Sequence, residues 1–183
     1  EAVTSARDYL GYMPSWWRAA LPEADARAPA TDGASLGALI PAEENKPFDM
    51  RGVIDALVDE GSFFELKKRF AKEIITGLAR IDGRVVGVVA NQPKHLGGVL
   101  FVDSADKASR FVWLCDAFQI PLVFLADVPG FMIGSKVEKQ GIIRHGAKMI
   151  NAISSATVRP ATRVRSSPSR ARSSAVALAK RSA

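Results

Sequence analysis

The chain has 183 residues, 48% of them hydrophobic and 24% charged, with a formal net charge of +6. Those proportions are those of an ordinary globular protein and leave no run near the roughly 18 uninterrupted apolar residues of a membrane span. A single cysteine, Cys115, excludes an internal disulfide and fits a reducing, cytoplasmic compartment.

The positive charge is unevenly placed. Arg159, Arg163, Arg165, Arg170, Arg172, Lys180 and Arg181 put seven basic residues and no acid into residues 159–183. The rest is nearly neutral, so any phosphate-binding face belongs to that tail. The amino terminus has no basic stretch followed by an apolar run, as a secretory signal would. It opens on Glu1 rather than Met, as a fragment or a processed product does.

Residues 1–47 are broken up by Pro14, Pro22, Pro29, Pro41 and Pro47 and read as an ordered linker or extended arm. Tyr9, Tyr12, Trp16 and Trp17 are too many large aromatics for a solvated tail. They either dock on a surface not wholly present in this chain or form a local cluster under the first helix.

From Phe48 the pattern becomes regular. Asp49 can cap a helix carrying Val53, Ile54, Leu57 and Val58 on one side and ending near Gly61. Phe63 to Leu66 reads as a short strand. Ile74 to Ile81 and Arg84 to Ala90 flank Asp82-Gly83, a pair typical of a tight hairpin. Gly77 and Gly87 allow a bulge or a close neighbour in those strands. Asn91-Gln92-Pro93 ends the second strand, and Gly97-Gly98 marks another sharp turn. Ser104 is expected to cap a helix in which Ala108, Phe111, Val112, Cys115 and Phe118 recur at helical spacing.

Pro121 opens a strand, Leu122 to Ala126, that reads as buried on both faces. It stops in Asp127-Val128-Pro129-Gly130. A helix is expected over Val137 to Ala156, with Ile143, Ala147, Ile150 and Ile153 facing inward. Such a strand, ending in a Pro-Gly loop before a helix, leaves backbone N–H groups unpaired, and these can bind a developing negative charge. The same residues also fit a tight strand-to-helix connection without chemistry. Two antiparallel strands followed by helix, strand and helix make an α/β layer. A right-handed crossover calls for one more strand after the last helix, and the sequence does not clearly supply it. Beyond Val158 the Arg/Ser/Ala-rich stretch lacks a hydrophobic period and reads as a disordered tail. His145 reads as structural or surface, Arg144 and Lys148 as solvated, His95 as a loop residue and Cys115 as inert core. Two histidines and one cysteine give a zinc site no support.

The stretches KPFDMRGVIDALVDEGSFFEL, GRVVGVVANQP, DSADKASRFVWLCDAFQIPLVFLADVPGF and GIIRHGAKMI, in this order, resemble the carboxyltransferase (β) subunit of biotin-dependent acyl-CoA carboxylases, the propionyl-, acetyl- and methylcrotonyl-CoA group. The likeness covers residues 9 to 158. It implies a crotonase-like α/β fold of repeated ββα units in a spiral, here truncated. Residues 1–47 would be the interdomain linker, 48–158 the first part of the family's second domain, and 159–183 a tail foreign to it.

The implied reaction moves a carboxyl group from carboxybiotin, held on a separate carrier protein, onto the α-carbon of an acyl-CoA. The implied partners are a biotin carboxylase/carrier (α) subunit and further copies of the chain in a hexamer, with no membrane and no nucleic acid. By the resemblance, Gly130 and Phe131 supply one catalytic amide of the biotin-side oxyanion hole. Asn91, Gln92, Val128 and Pro129 join them in binding the cofactor, and no metal takes part. The family's partner amide comes from a Gly/Ala-rich turn that has no counterpart after Val158. A frameshift or truncated gene would give such a break, so an incomplete, inactive fragment is expected. Two other readings remain: the α subunit of a biotin-dependent sodium-pump decarboxylase, and a non-enzymatic fragment whose basic tail binds nucleic acid nonspecifically.

Overall fold

The structure is a computed structural model that describes residues 2–31, 36–41, 43 and 46–158. The tail expected over 159–183 lies outside the described residues. Among the described residues no helix is long and apolar enough to cross a membrane.

The hairpin organises the fold. β2 (Ile74–Ile81) and β3 (Arg84–Asn91) pair antiparallel from Ile74↔Asn91 to Ile81↔Arg84. Asp82 and Gly83 close the turn with φ of 57° and 76°. Two consecutive left-handed residues make a turn whose twist matches that of the strands, which is why Asp-Gly is selected there. Ile74, Leu78, Val85 and Val89 point into one apolar cluster, while Ile75, Ala79, Val86, Val88 and Ala90 point into the other. Both faces are therefore covered, and the hairpin lies inside the molecule.

β1 (Phe64–Leu66) joins the outer edge of β2 antiparallel, and β4 (Leu122–Leu125) joins β3 in parallel, giving the order β1-β2-β3-β4. β4 is not buried on both faces as its apolar run suggests. Leu122 is buried, but Val123, Phe124 and Leu125 are only half-buried. With β3 its only neighbour among the described residues, β4 is an edge strand.

On one face, α3 (Met50–Asp55) is started by the Asp49 carboxylate, which accepts the Arg51 N–H at 3.1 Å. The helix stops at Asp55, short of Gly61, and Leu57 turns outward while Val53, Ile54 and Val58 stay in the core. On the other face lies α4 (Val102–Ala117), which begins two residues before Ser104. Ser104 works from inside the first turn instead, its Oγ accepting the Phe101 N–H at 2.5 Å. Phe111, Val112 and Cys115 press against the hairpin where Gly87 leaves room. A Cβ on Gly87 would lie 2.6 Å from Cys115 Sγ and 3.3 Å from Phe111. Burial in this layer pushes the Cys115 thiol pKa up to about 12, so it stays protonated and inert.

The expected last helix is two helices. α5 (Ser135–Lys139) and α6 (Ile142–Ser155) are divided at Gly141, whose φ is 86°. The inward face of α6 carries Ile142, Gly146, Met149, Ala152 and Ile153, so of the expected row only Ile153 faces inward. Ile143 is 79% exposed, and Ala147 and Ile150 are exposed with it. Gly146 hides this phase in the sequence, because the small residue lets Phe131 pack against the helix at 3.4 Å from where a Cβ would be.

The amino-terminal arm contributes α1 (Ala2–Leu10) and, later, the single turn of α2 (Leu36–Leu39). The aromatics divide. Tyr9 and Tyr12 each sit 6.3 Å from the Phe64 ring, and Tyr12 donates to Ser62 O at 2.6 Å. Trp16 and Trp17 stay exposed in an edge-to-face pair. Arg80 stitches the arm to the hairpin: Nη1 donates to Pro22 O and Gly83 O at 2.9 and 3.0 Å, and Nη2 to Gly11 O at 2.8 Å.

Lys107, on α4, is 2% exposed. Its ammonium donates to three carbonyls, Phe70 O at 2.8 Å, Ala71 O at 3.2 Å and Ile74 O at 2.7 Å. All three protons are used, which is what allows a charge in the core. Burial lowers its pKa to about 8, against the opposing pull of Glu65 and Glu73.

Gly87→Ala is expected to destabilise the fold by about 1–3 kcal/mol through overpacking against Cys115, read as a lower urea midpoint with an unchanged slope. Lys107 gives a pH signature. In the unfolded chain it titrates near 10.4, so between about pH 8 and 10.4 the unfolded state holds more protons than the folded one. Stability then rises with pH through that window. The stability difference between the parent and Lys107→Met should shift toward the parent by the same increment, as measured by urea unfolding at pH 7.5 and 9.5.

Candidate functional site

The parallel pairing of β3 with β4 runs from Gly87↔Leu122 to Ala90↔Leu125 and brings the carboxyl ends of the two strands side by side. Open α/β layers collect ligand sites outside such strand ends. From β3 the chain leaves through Asn91-Gln92-Pro93, and from β4 through Ala126 to Gly134.

Gly130 has a φ of 131°, a conformation that favours glycine. An added Cβ there would meet nothing within 4 Å, so the outer side of the turn is open. The carbonyl of Gly130 accepts the Leu100 N–H at 3.0 Å, and the Met132 N–H donates to Leu100 O at 2.8 Å. These two bonds make a parallel bridge between Leu100 and Phe131. The N–H groups of Gly130 and Phe131 take no partner among the described residues. The turn is thus fixed by its carbonyl and by the following amide, leaving two donors unused. Val128 and Pro129 are exposed just before it, and the Phe131 ring packs against Gly146 of α6.

Asn91 and Gln92 lie behind this loop. Asn91 is 5% exposed, and both ends of its amide bond to the backbone of Asp127: Oδ1 accepts the Asp127 N–H at 2.6 Å, and Nδ2 donates to Asp127 O. Gln92 is 2% exposed, its Oε1 accepting the Met50 N–H at 3.1 Å and its Nε2 donating to Asp49 Oδ1 at 2.6 Å. Burial acts to raise the Asp49 pKa, but the bonds from Gln92 and Arg51 prevail and hold it below the ordinary value. These two side chains therefore hold backbone in place, whereas Val128, Pro129, Gly130 and Phe131 form the exposed or half-exposed turn.

A cleft of about 1060 Å³ begins where the turn ends, at Met132, Ile133 and Gly134. Arg69 and Lys72 line it from the β1–β2 loop, Lys136 from α5, and His95 from the loop after β3. Its lining does not include Gly130 or Phe131.

His145 and Lys148 converge on Asp106 of α4. His145 Nδ1 and Lys148 Nζ both stand 2.7 Å from Asp106 Oδ1. Partial burial works to raise the Asp106 pKa, but the two hydrogen bonds outweigh it and keep the carboxyl below its usual value. His145 is structural, as read from the sequence, while Lys148 is paired rather than solvated. Among the described residues, no group of three or more His, Cys, Asp or Glu is placed to hold a metal. Sequence reading misses the bridge at Leu100 and the use made of Asn91. The only signal for them is the Gly97-Gly98 turn, which brings residue 100 back beside the loop.

Comparison with known proteins places this geometry in a family. Residues 1–173 match the carboxyl transferase domain. That match runs past Val158 into the basic stretch. Over 158 residues the chain is 58% identical to a Bacillus subtilis (strain 168) protein described as the uncharacterized carboxylase YngE, spanning 86% of this chain and 31% of that one. It is 55% identical over 124 residues to the propionyl-CoA carboxylase β chain of Roseobacter denitrificans, spanning 68% of this chain and 24% of the relative. The transcarboxylase 12S crystal structure, a hexamer with methylmalonyl-CoA and methylmalonic acid bound, is similar with a TM-score of 0.82 and 41% identity, over 86% of this chain and 31% of that one. The chain therefore covers less than a third of the length of each of these relatives, and within that span the mixed sheet and its helices have the crotonase-like fold: it belongs to the carboxyl transferase domain family.

Proposed function

We propose that this chain carries part of the biotin side of a carboxyltransferase site, in a biotin-dependent acyl-CoA carboxylase that moves a carboxyl group onto the α-carbon of an acyl-CoA. The observation that carries the reading is the pair of unpartnered N–H groups at Gly130 and Phe131, on a turn fixed on either side, in a chain of this family.

The residues fit the cofactor. Space over Gly130 is open, Val128 and Pro129 offer apolar surface beside it, and the loop from Val128 to Phe131 carries no ionisable side chain. Carboxybiotin, when bound, supplies an activated carboxyl group and an oxygen on which negative charge develops. The Gly130 and Phe131 amides are suited to that charge, because donors already held by the fold need no reorganisation as it forms. One aimed donor of this kind is worth about 3–4 kcal/mol. By the same reading, the carboxyl donor arrives on a separate biotin carboxylase/carrier subunit, and further copies of the chain complete the enzyme, as in the transcarboxylase hexamer.

Gly130→Ala is the direct test. Alanine keeps the N–H but resists a φ of 131°, so the turn must relax and the donors lose their aim. In the assembled carboxylase, carboxyl transfer from carboxybiotin to acyl-CoA should fall about 100-fold, while the melting temperature drops by only a few degrees. Transfer at the parental rate would overturn the assignment.

A further inference from the structure

The loop that ends β4 is held to one continuous segment, Asn91 to Leu100, at two points. Leu100 holds it at Gly130 and Met132, and Asn91 holds it at Asp127. The Leu100 contact is ordinary backbone pairing. The Asn91 contact is unusual, because a side chain stands in for a peptide group. The β3–β4 ladder ends at Ala90↔Leu125, and two residues beyond Leu125 the Asn91 carboxamide donates to and accepts from one residue, as an opposing strand would. We infer that Asn91 is a positioning residue: its carboxamide prolongs the sheet by one artificial rung and thereby sets where the Gly130 and Phe131 amides point. This deepens the proposed function and rests on it.

Three observations support the assignment. Asn91 is a rigid base, since its own backbone pairs with Ile74 and the next amide, Gln92 N–H, donates to Glu73 O at 2.8 Å. Its side chain is nearly fully buried and has no competing partner among the described residues. Finally, Gly98 is shaped around it: at a φ of 70°, a Cβ on Gly98 would come within 2.6 Å of Asn91 Nδ2. The turn that sends the chain to Leu100 thus also leaves the carboxamide its room. Aspartate has nearly the same size but cannot donate to Asp127 O, and alanine leaves both Asp127 groups without this partner.

The test uses the assembled carboxylase with Asn91→Ala and, separately, Gly98→Ala, which disturbs the carboxamide without deleting it. Hydrogen exchange in peptides spanning residues 127–132 should quicken by about tenfold in both, while β2 and α4 keep parental protection. The kcat for carboxyl transfer should fall about 100-fold, with KM for the acyl-CoA within about twofold of the parent, because misplacing a catalytic group by about 1 Å costs that much. Unchanged exchange at 127–132 would overturn the inference. So would faster exchange spread over β2 and α4, which would make Asn91 a general stabiliser, or quickened loop exchange with unaltered kcat. If the parent enzyme itself transfers no carboxyl group, the proposed function fails, and the exchange measurements still decide whether Asn91 sets the loop.

Discussion

Parallel pairing between β3 and β4 is the constraint from which the rest of the molecule takes its geometry. A parallel pair cannot be joined by a tight turn, so the chain must cross over, and α4 is that crossover. The crossover places α4 on the hairpin at van der Waals distance from Gly87, and it brings the ends of two strands to the same side of the sheet. The exit loop from β4 then runs beside β3's exit segment, with α6 behind Phe131. The backbone bridge at Leu100 and the carboxamide of Asn91 are the two ways in which that segment grips the loop.

Electrostatics enters this core sparingly. Lys107 brings a charge into the interior, but only where three carbonyls of the β1–β2 loop and the start of β2 converge on its ammonium. Those carbonyls belong to the segment that also supplies Arg69, Ala71 and Lys72 to the cleft wall. The lysine therefore fixes the backbone of that wall from behind, while the surface cations face outward. Asp106 does similar work between helices, where one carboxylate oxygen joins α4 to two residues of α6 about one turn apart.

Much of this was legible in the residues. Asp82-Gly83 marks the hairpin because only a few residue pairs tolerate two left-handed positions in succession, and both strand boundaries follow from it within one residue. The Pro-Gly loop after β4 was legible for a similar reason, since Gly130 adopts a conformation that side chains resist. The failures are equally physical. α6 has two apolar rows, and hydropathy favoured the wrong one because Gly146, the closest contact with Phe131, counts as nothing on an apolar scale. β4 reads as central because its residues are apolar, yet burial depends on neighbours that a run of four residues cannot encode. Asn91 stands beside the site in the sequence, but whether an amide side chain faces a ligand or the backbone behind it depends on a partner 36 residues away.

Arg80 bears on how this protein can be divided. Its guanidinium reaches carbonyls at Gly11, Pro22 and Gly83 and lies 5.1 Å above the Tyr12 ring. Cutting away the first 31 residues to isolate a tidier α/β core would strip this cation of two acceptors and an aromatic face, and would uncover Phe64 as well. Composition draws a border near residue 48, but these contacts pack Tyr9, Gly11, Tyr12 and Pro22 onto the sheet, so the arm is not set apart from it.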